Sequence, residues 1–551
     1  MHRPILIFVV VLALALTSVP SAQRSAAPQA PPRLLVIVVV DQMRADYVTR
    51  FRSDWTSGLK RLLSEGAYFS SAAYPYLTTV TCAGHATIAT GAFPRLHGVF
   101  QNVWYDRRTR QLAACADDAD AGAIGYGPKA QGGSSARSLL MPTLADELRA
   151  RRPAQVVTLS LKARSAVMLA GHGGEAVTWL SLNGWETSSA YARRPVPAVK
   201  AFIDANPIDR DYGKIWTPLL PSSRYQGPDD AVGEAPPEGW TRTFPHALTG
   251  GGRGGAQFRA QWQESPFADA YLGRMAAALV ETMKLGSDDV TDVLGISFSS
   301  PDNVGHAFGP ASHEVQDVFA RLDQTLGRLL GRLDALVGRD RYVVAFTADH
   351  GVGEVTEQRQ QAGRDGGRLS SIHLADVAER AARGVLGPGE YVAVVNENDL
   401  YFEPGVYEKL GAAPDGLSTV VNALEKEAGV LRVFRQEQLA GRYEASDRSL
   451  RAAALSYVPG RSGDLVLAPR PGWVVSSSAT AADHGTANRY DQEVPLMLMG
   501  RGVRHGEYTE EATPADIAPT LAALAGVTLP RAEGRVLWSA LTVAPPLPPN
   551  R

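Results

Sequence analysis

The chain has 551 residues, enough to bury one large hydrophobic core or two moderate ones. Its 45% hydrophobic and 20% charged residues are ordinary for a soluble globular protein. A net charge of -2 gives no overall electrostatic reason to expect a nucleic acid polymer or an anionic membrane as a partner.

The N-terminus predicts an export signal. His2 and Arg3 precede an apolar run over residues 5–16, and small residues around Ser21 and Ala22 offer a cleavage site. The run is too short to span a bilayer comfortably, so a cleaved signal peptide is favoured over an anchor. No later stretch reaches transmembrane length. We therefore expect a periplasmic or secreted protein without a membrane span.

Continuous apolar stretches predict strands buried on both faces, as in a largely parallel α/β sheet. Between them, residues 313–337 carry apolar side chains at helical spacing and form a core helix. The predicted strands are Leu34–Val40, Gln155–Leu161, Val293–Phe298, Tyr342–Phe346, Trp473–Val475, where the main fold resumes, and Val494–Met499, the last one. Other helices are predicted near residues 59–63, at 142–151 with Pro142 in the first turn, at 269–284, and from Pro514 onward.

Potential metal ligands follow three of these strands, and a further histidine precedes the last strand. Asp302 and His306 are four residues apart, so a helical turn would put both on one face. The carboxyl ends of strands are where α/β folds bind ligands. Three carboxylates and three imidazoles are a natural count for two adjacent metal sites, and mixed N/O ligation suits zinc. The candidates are Asp41, Asp302, His306, Asp349, His350 and His484.

A threonine-rich stretch over residues 76–87 predicts a loop that leads into a short helix closed near Gly91. Ser and Thr at helix starts are usually caps. A hydroxyl there also lies where free backbone N–H groups and the helix dipole favour an anion, so Thr81 is a candidate nucleophile. Cys82 and Cys115 are the only cysteines, and the sequence leaves open whether they pair.

Two cations follow the strand predicted at 155–161. Lys162 and Arg164 are two residues apart, so on an extended segment they project to the same side. Without other evidence, scattered surface charges are the favoured interpretation of the pair.

These residues together resemble the alkaline phosphatase superfamily, in the branch of the nucleotide pyrophosphatase/phosphodiesterases and the bacterial phosphate-irrepressible alkaline phosphatases. The resemblance implies an α/β three-layer sandwich with a largely parallel central sheet, helices on both faces and cap insertions. It extends from Leu34 to about Val527 and rests on Asp41, the Thr81 stretch, Asp302-x-x-x-His306, Asp349-His350-Gly351 and His484-Gly485, in that order.

The resemblance also implies two zinc ions and a phosphothreonine intermediate. Thr81 matches the nucleophile because residues 87–91 are similar to the Thr-Gly helix end of the family, and Thr79 is the fallback. The zinc that binds the nucleophile oxygen would be held by Asp41, Asp349 and His350, and the second zinc by Asp302, His306 and His484.

The substrate class follows from the same resemblance. Lys162 and Arg164 look like the pair that grips the phosphoryl oxygens in the monoesterase branch, with Asn102 as a companion amide. Diesterase relatives lack this pair. The predicted function is therefore a secreted, zinc-dependent phosphatase for small phosphate monoesters. A sulfatase is excluded, because Gly84 and Ala86 stand where the Pro and Arg after its nucleophile would be.

Two alternatives remain open at this stage: a nucleotide pyrophosphatase/phosphodiesterase, and a phospho-ligand binding protein without catalysis. The oligomeric state is not predicted. The expected organisation is a signal peptide (1–22), a disordered lead-in (23–32), a catalytic domain (33–540) with insertions near 169–267 and 388–464, and a C-terminal tail (541–551).

Overall fold

The structure is a computed structural model that describes residues 30–127, 130, 132–441, 446–476 and 479–542. The predicted signal peptide, most of the lead-in and the tail from residue 543 lie outside these ranges. None of the helices in the described ranges is long and apolar enough to cross a membrane.

The described chain alternates between strands and helices. The strands are β1 Leu34–Val40, β2 Ala67–Phe69, β3 Val103–Asp106, β4 Gln111–Ala114, β5 Ala123–Gly125, β6 Val156–Ser160, β7 Ala176–Ser181, β8 Gly184–Ser188, β9 Ile215–Trp216, β10 His246–Ala247, β11 Asp292–Phe298, β12 Tyr342–Thr347, β13 Gly367–Leu369, β14 Val392–Asn396, β15 Asp399–Phe402, β16 Val430–Arg435, β17 Leu465–Pro469, β18 Trp473–Val475, β19 Leu496–Gly500 and β20 Gly506–Tyr508. The helices are α1 Asp46–Phe51, α2 Gly58–Glu65, α3 Thr81–Thr90, α4 Pro94–His97, α5 Leu144–Arg151, α6 Ala163–Ala170, α7 Pro197–Ala205, α8 Ala256–Gln263, α9 Pro266–Thr282, α10 Ser300–Phe308, α11 His313–Leu336, α12 Thr356–Gln361, α13 Ser371–Leu386, α14 Val406–Ala412, α15 Gly416–Glu425, α16 Gln436–Ala440, α17 Arg448–Ser456, α18 Arg489–Gln492 and α19 Ile517–Ala525.

A ten-stranded sheet forms the middle layer, in the order β20-β2-β19-β12-β1-β11-β6-β7-β8-β5. Its central strands β12, β1, β11, β6 and β7 are parallel. Towards the two edges, β19, β2, β8 and β5 each pair antiparallel with their inner neighbour. Strand β1 is central, and Leu34 at its start pairs with Asp292 of β11 and Tyr342 of β12.

Alternate side chains of β1 face opposite sides of the sheet. Leu34, Val36 and Val38 join a core with α1, α2, α9 and α11, whereas Leu35 and Ile37 join a second core with α3, α5, α6 and α19. Helices therefore cover both faces, and the predicted α/β fold with a largely parallel central sheet is confirmed.

Several predicted elements have different bounds. The helix expected from Pro142 begins at Leu144, because the Thr143 side chain accepts a hydrogen bond from the Asp146 N–H and caps it. The short β18 pairs with β13 outside the central sheet, so the main fold does not resume there. Strand β19 is also not the last, since the three-residue β20 follows it.

The two regions predicted as insertions differ in how they relate to the sheet. Within 169–267, β7 and β8 extend the central sheet itself. Within 388–464, β14, β15 and β16 form a separate four-stranded sheet with β17. This sheet packs in a hydrophobic core of its own.

A buried carboxylate fastens α2 to α11. Asp323 on α11 is 1% exposed, and its oxygens accept hydrogen bonds from the N–H groups of Thr56, Ser57 and Leu59 at 2.7–2.8 Å. Lys60 donates a fourth, at 3.3 Å. The N-cap residue of α2, Ser57, makes no side-chain cap of its own. Asp323 therefore supplies the cap from another helix.

Replacing Asp323 by Ala should lower the free energy of unfolding by about 3 kcal/mol, because it leaves several buried N–H groups without an acceptor. Chemical denaturation of the two proteins measures the difference. The matched control is Asp340→Ala, which removes the same charge from an exposed position and should change stability by less than about 0.5 kcal/mol. Equal effects of the two substitutions would contradict the capping role.

Candidate active site

The parallel strands bring the predicted metal ligands to one edge of the sheet. Asp41 follows β1, Asp349 follows β12, and α10 with its two ligands starts directly after β11. The structure forms two groups, and within each group the donor atoms lie within 4.8 Å of one another. The groups are Asp41, Asp349 and His350, and Asp302, His306 and His484.

The three histidines share one hydrogen-bonding pattern. Nδ1 of His350 lies 2.9 Å from the Gly351 carbonyl oxygen. Nδ1 of His306 lies 2.8 Å from the Ala482 oxygen, and Nδ1 of His484 lies 2.9 Å from the oxygen of Thr79. Burial lowers the pKa of His350 and of His484, so both rings are neutral. Burial also disfavours the charged form of His306, but Asp302, 3.2 Å from its Nε2, outweighs burial and raises the pKa of His306 to about 9, so a metal bound there would displace a proton. Because a carbonyl only accepts, Nδ1 carries a proton in each ring and Nε2 is the nitrogen left for a metal. This is the tautomer that a metal ligand needs.

The carboxylates hold more negative charge than the protein neutralises. Asp41 and Asp349 are fully buried, and one oxygen of each has no hydrogen-bond partner among the described residues. Burial, together with the charges of Asp302 and Asp349, raises the pKa of Asp41 well above its usual value. Lys162 lies with Nζ 2.5 Å from oxygens of both Asp41 and Asp302. Unpaired buried carboxylate oxygens and imidazole Nε2 atoms together fit bound metal cations.

Asp302 behaves differently from Asp41. Burial disfavours its charged form, but the charges of Lys162 and His306 outweigh burial and hold the pKa of Asp302 well below its usual value. Asp302 is therefore ionised at neutral pH.

Thr81 is the first residue of α3, and its hydroxyl faces the metal groups. Its Oγ1 lies 3.4 Å from Nε2 of His350. The helix comes this close because residue 84 is glycine: a Cβ there would lie 2.2 Å from the Asp349 carbonyl oxygen. The fallback candidate Thr79 instead donates its hydroxyl to the Thr486 carbonyl at 2.9 Å.

Asn102 is fixed beside Thr81 by both cysteines. Its side-chain oxygen accepts from the Cys82 N–H at 2.9 Å, and its carbonyl accepts from the Cys115 N–H at 2.9 Å. Cys82 and Cys115 form a disulfide, which answers the question that the sequence left open. Because the amide oxygen is occupied, the NH₂ group of Asn102 is the part that can donate to a ligand.

Lys162 and Arg164 occupy a helix start instead of the predicted strand end. Strand β6 ends at Ser160, Lys162 is the N-cap of α6, and Arg164 is in its first turn. The i, i+2 argument for an extended segment therefore does not apply to them. Nε of Arg164 is buried and has no hydrogen-bond partner among the described residues.

Sequence reasoning missed Gln42, which links the two groups. Its Nε2 donates to Asp302 Oδ1 at 2.7 Å, and its backbone N–H donates to Asp349 Oδ1 at 3.2 Å. Gln42 has a left-handed φ of 67°. Gly305 leaves room for it, since a Cβ there would lie 1.8 Å from Oε1 of Gln42. The available signal was its position directly after Asp41.

Asp483 is a second residue that was not predicted. It lies beside His306 and His484, accepts from the Ser476 hydroxyl at 2.6 Å, and accepts from the His484 N–H at 2.9 Å. Asp349 accepts in the same way from the His350 N–H at 3.1 Å. The signal was the repetition of Asp-His-Gly at 349–351 and 483–485.

Comparison with known proteins shows one matching family and several similar alkaline phosphatases. The type I phosphodiesterase / nucleotide pyrophosphatase family matches residues 35–492. The chain is 30% identical to alkaline phosphatase PafA of Elizabethkingia meningoseptica, over 91% of this chain and 92% of PafA. It is 28% identical to alkaline phosphatase PhoV of Synechococcus elongatus, over 94% of this chain and 95% of PhoV.

Solved structures of the same kinds of protein are similar to this chain. The crystal structure of wild-type PafA superposes with a TM-score of 0.85 at 29% identity, covering 94% of this chain and 100% of PafA. Murine ectonucleotide pyrophosphatase / phosphodiesterase 5 shares the fold at 14% identity and a TM-score of 0.53, covering 91% of this chain and 97% of its own. The chain therefore belongs to the type I phosphodiesterase / nucleotide pyrophosphatase family of the alkaline phosphatase superfamily, and it is a phosphomonoester hydrolase of the alkaline phosphatase type.

Proposed function

We propose that this protein is an exported alkaline phosphatase that uses two zinc ions and a phosphothreonine intermediate on Thr81 to hydrolyse small phosphate monoesters. The observation that carries the proposal is the Thr81 hydroxyl, 3.4 Å from Nε2 of His350 at the edge of the two ligand groups. A threonine hydroxyl is a weak nucleophile at neutral pH, so it needs an activating group at this distance.

The metal assignment follows from the donor atoms. Each group offers carboxylate oxygen and imidazole nitrogen, the ligand mixture that suits zinc. Bound there, zinc would favour the alkoxide form of the nucleophile and offset the charge of the phosphoryl group. One zinc would be held by Asp41, Asp349 and His350, and the other by Asp302, His306 and His484.

Phosphoryl transfer then takes place in two steps, with Thr81 as the nucleophile of the first. Thr81 Oγ forms a bond to phosphorus while the bond from phosphorus to the leaving alcohol oxygen breaks, and the alcohol leaves after taking up a proton. Water attacks the resulting phosphothreonine, which releases phosphate and restores the hydroxyl. Two in-line displacements give retention of configuration at phosphorus. Preorganised groups account for most catalysis of this kind.

Substrate choice rests on Asn102, Lys162 and Arg164. A phosphate monoester is a dianion, whereas a diester carries one charge and a second organic group. Two cations and an amide NH₂ at the site favour the dianion. The family also holds phosphodiesterases, so a diester is the alternative substrate. The buried, unpartnered Nε of Arg164 favours the monoester, because that donor would stay unpaired beside an apolar ester group.

An exported location is supported by the predicted signal peptide and by the Cys82–Cys115 disulfide, since disulfides persist in oxidising compartments. Small phosphate esters are the expected partners.

Replacing Thr81 by Ala should lower kcat/KM for a nitrophenyl phosphate by at least about 1,000-fold, because the covalent route is lost. The zinc content, measured by elemental analysis, should be unchanged. Thr79→Ala is the matched variant and should retain most activity, since its hydroxyl is bonded to a backbone carbonyl. Loss of activity in Thr79→Ala with near-normal activity in Thr81→Ala would assign the nucleophile to Thr79.

Replacing Lys162 and Arg164 together by Ala should lower kcat/KM for the monoester about 100-fold more than for the corresponding bis ester, because the dianion needs the additional charge. Steady-state kinetics on both esters give the ratio. An equal loss on the two substrates would show that the pair does not select the monoester.

A further inference from the structure

His85 is a fully buried histidine on α3, one helical turn after Thr81. Its Nδ1 lies 2.8 Å from the Thr81 carbonyl oxygen. Its Nε2 lies 2.8 Å from Oγ of Ser297, a buried serine on the central strand β11. A carbonyl oxygen only accepts, so Nδ1 donates to it, and both ring nitrogens are occupied. His85 therefore anchors the first turn of α3 to the sheet.

The same Nδ1 also contacts a candidate metal ligand. It lies 3.3 Å from Oδ2 of Asp349. This oxygen has no hydrogen-bond partner among the described residues, and it lies 3.5 Å from Nε2 of His350. The other oxygen, Oδ1, accepts from the N–H groups of Gln42 and His350. Oδ2 is therefore the oxygen that is left for a metal, and the His85 ring lies against it.

We propose that His85 is a positioning residue that holds the backbone of Thr81 and the metal-facing oxygen of Asp349 in a fixed relation. The inference rests on the proposed roles of Thr81 as nucleophile and of Asp349 as zinc ligand. One N–H group contacts both acceptors, and the Ser297 hydroxyl fixes the ring from its other side. Groups that contact metal ligands orient them, and the loss of such a group typically costs about 10- to 100-fold in metal affinity or activity.

Two other roles are open to a buried histidine at this place. A general base needs a free nitrogen close to the Thr81 hydroxyl, whereas both nitrogens of His85 are occupied and one of them contacts the Thr81 carbonyl. A residue that only fills the core would change the stability of the fold, and not the rate of the enzyme that remains folded. The three roles therefore predict different measurements.

The kinetic test compares three substitutions of His85 in the full-length zinc enzyme. Asn places its side-chain NH₂ near the position of Nδ1, Gln places its own near that of Nε2, and Leu removes both donors. His85→Leu and His85→Gln should lower kcat/KM on the order of 30-fold for nitrophenyl phosphate and for its bis ester alike, because the nucleophile serves both esters. His85→Asn should stay within about threefold of the unsubstituted enzyme. If His85→Leu does not fold, the comparison of Asn with Gln carries the test.

Zinc binding gives a measurement that does not depend on turnover. Competition with a chelator should show that one of the two zinc ions is bound about tenfold more weakly in His85→Leu, while the other is unchanged. The same shift should appear in a Thr81→Ala background. Near-normal activity of Thr81→Ala itself would refute the proposed function, and the zinc measurement would still test the contact between His85 and Asp349.

His97 provides the matched control. It is also fully buried, and its Nε2 lies 3.1 Å from Oγ1 of Thr87 farther along α3. His97→Leu should lower the melting temperature and change kcat/KM by less than about twofold.

Four results would each overturn the inference. They are equal activities of His85→Asn and His85→Gln, unaltered binding of both zinc ions in His85→Leu, a change in the ratio of monoester to diester activity, and a loss in His97→Leu as large as in His85→Leu. A pKa that disappears from the pH profile of kcat/KM in His85→Leu would assign proton transfer to His85 and overturn the positioning role as well.

Discussion

Three carboxylates at the ends of adjacent parallel strands impose the constraint on which this molecule depends. Asp41, Asp302 and Asp349 are all buried, and Lys162 is the cation that touches two of them. Leaving a buried carboxylate without compensation costs several kcal/mol. The sheet therefore places buried negative charge at one edge. Three histidines there donate Nδ1 to backbone carbonyls, which leaves Nε2 of each available to a metal ion.

The nucleophile and its neighbours are arranged around this edge by close contacts. Gly84 lets α3 approach the Asp349 backbone, and that approach brings Thr81 to His350. Backbone hydrogen bonds from both members of the disulfide hold Asn102 at the start of the same helix. Thr81 and Asn102 are therefore held in fixed positions, and phosphoryl transfer depends on such fixed positions of the reacting groups.

The sequence predicted an element correctly where a single continuous segment contains the pattern that identifies it. β1, β11 and β12 are apolar runs that end in or lead directly to polar residues, so the fold class and the gathering of candidate ligands at one edge of the sheet could be predicted. Short elements such as β20 carry too few residues for a pattern. Gln42 gains its role only from contacts with distant residues. The placement of Lys162 at a helix start was missed because the chain turns within two residues of β6.

The most direct test of the account is a crystal structure of the zinc enzyme with vanadate, which mimics the five-coordinate phosphorus of the transfer. We predict one zinc in each ligand group, vanadium bonded to Thr81 Oγ, and Asn102, Lys162 and Arg164 in contact with the vanadate oxygens. A vanadate that is bonded to water while Thr81 remains free, or a site with a single zinc, would contradict the proposed mechanism.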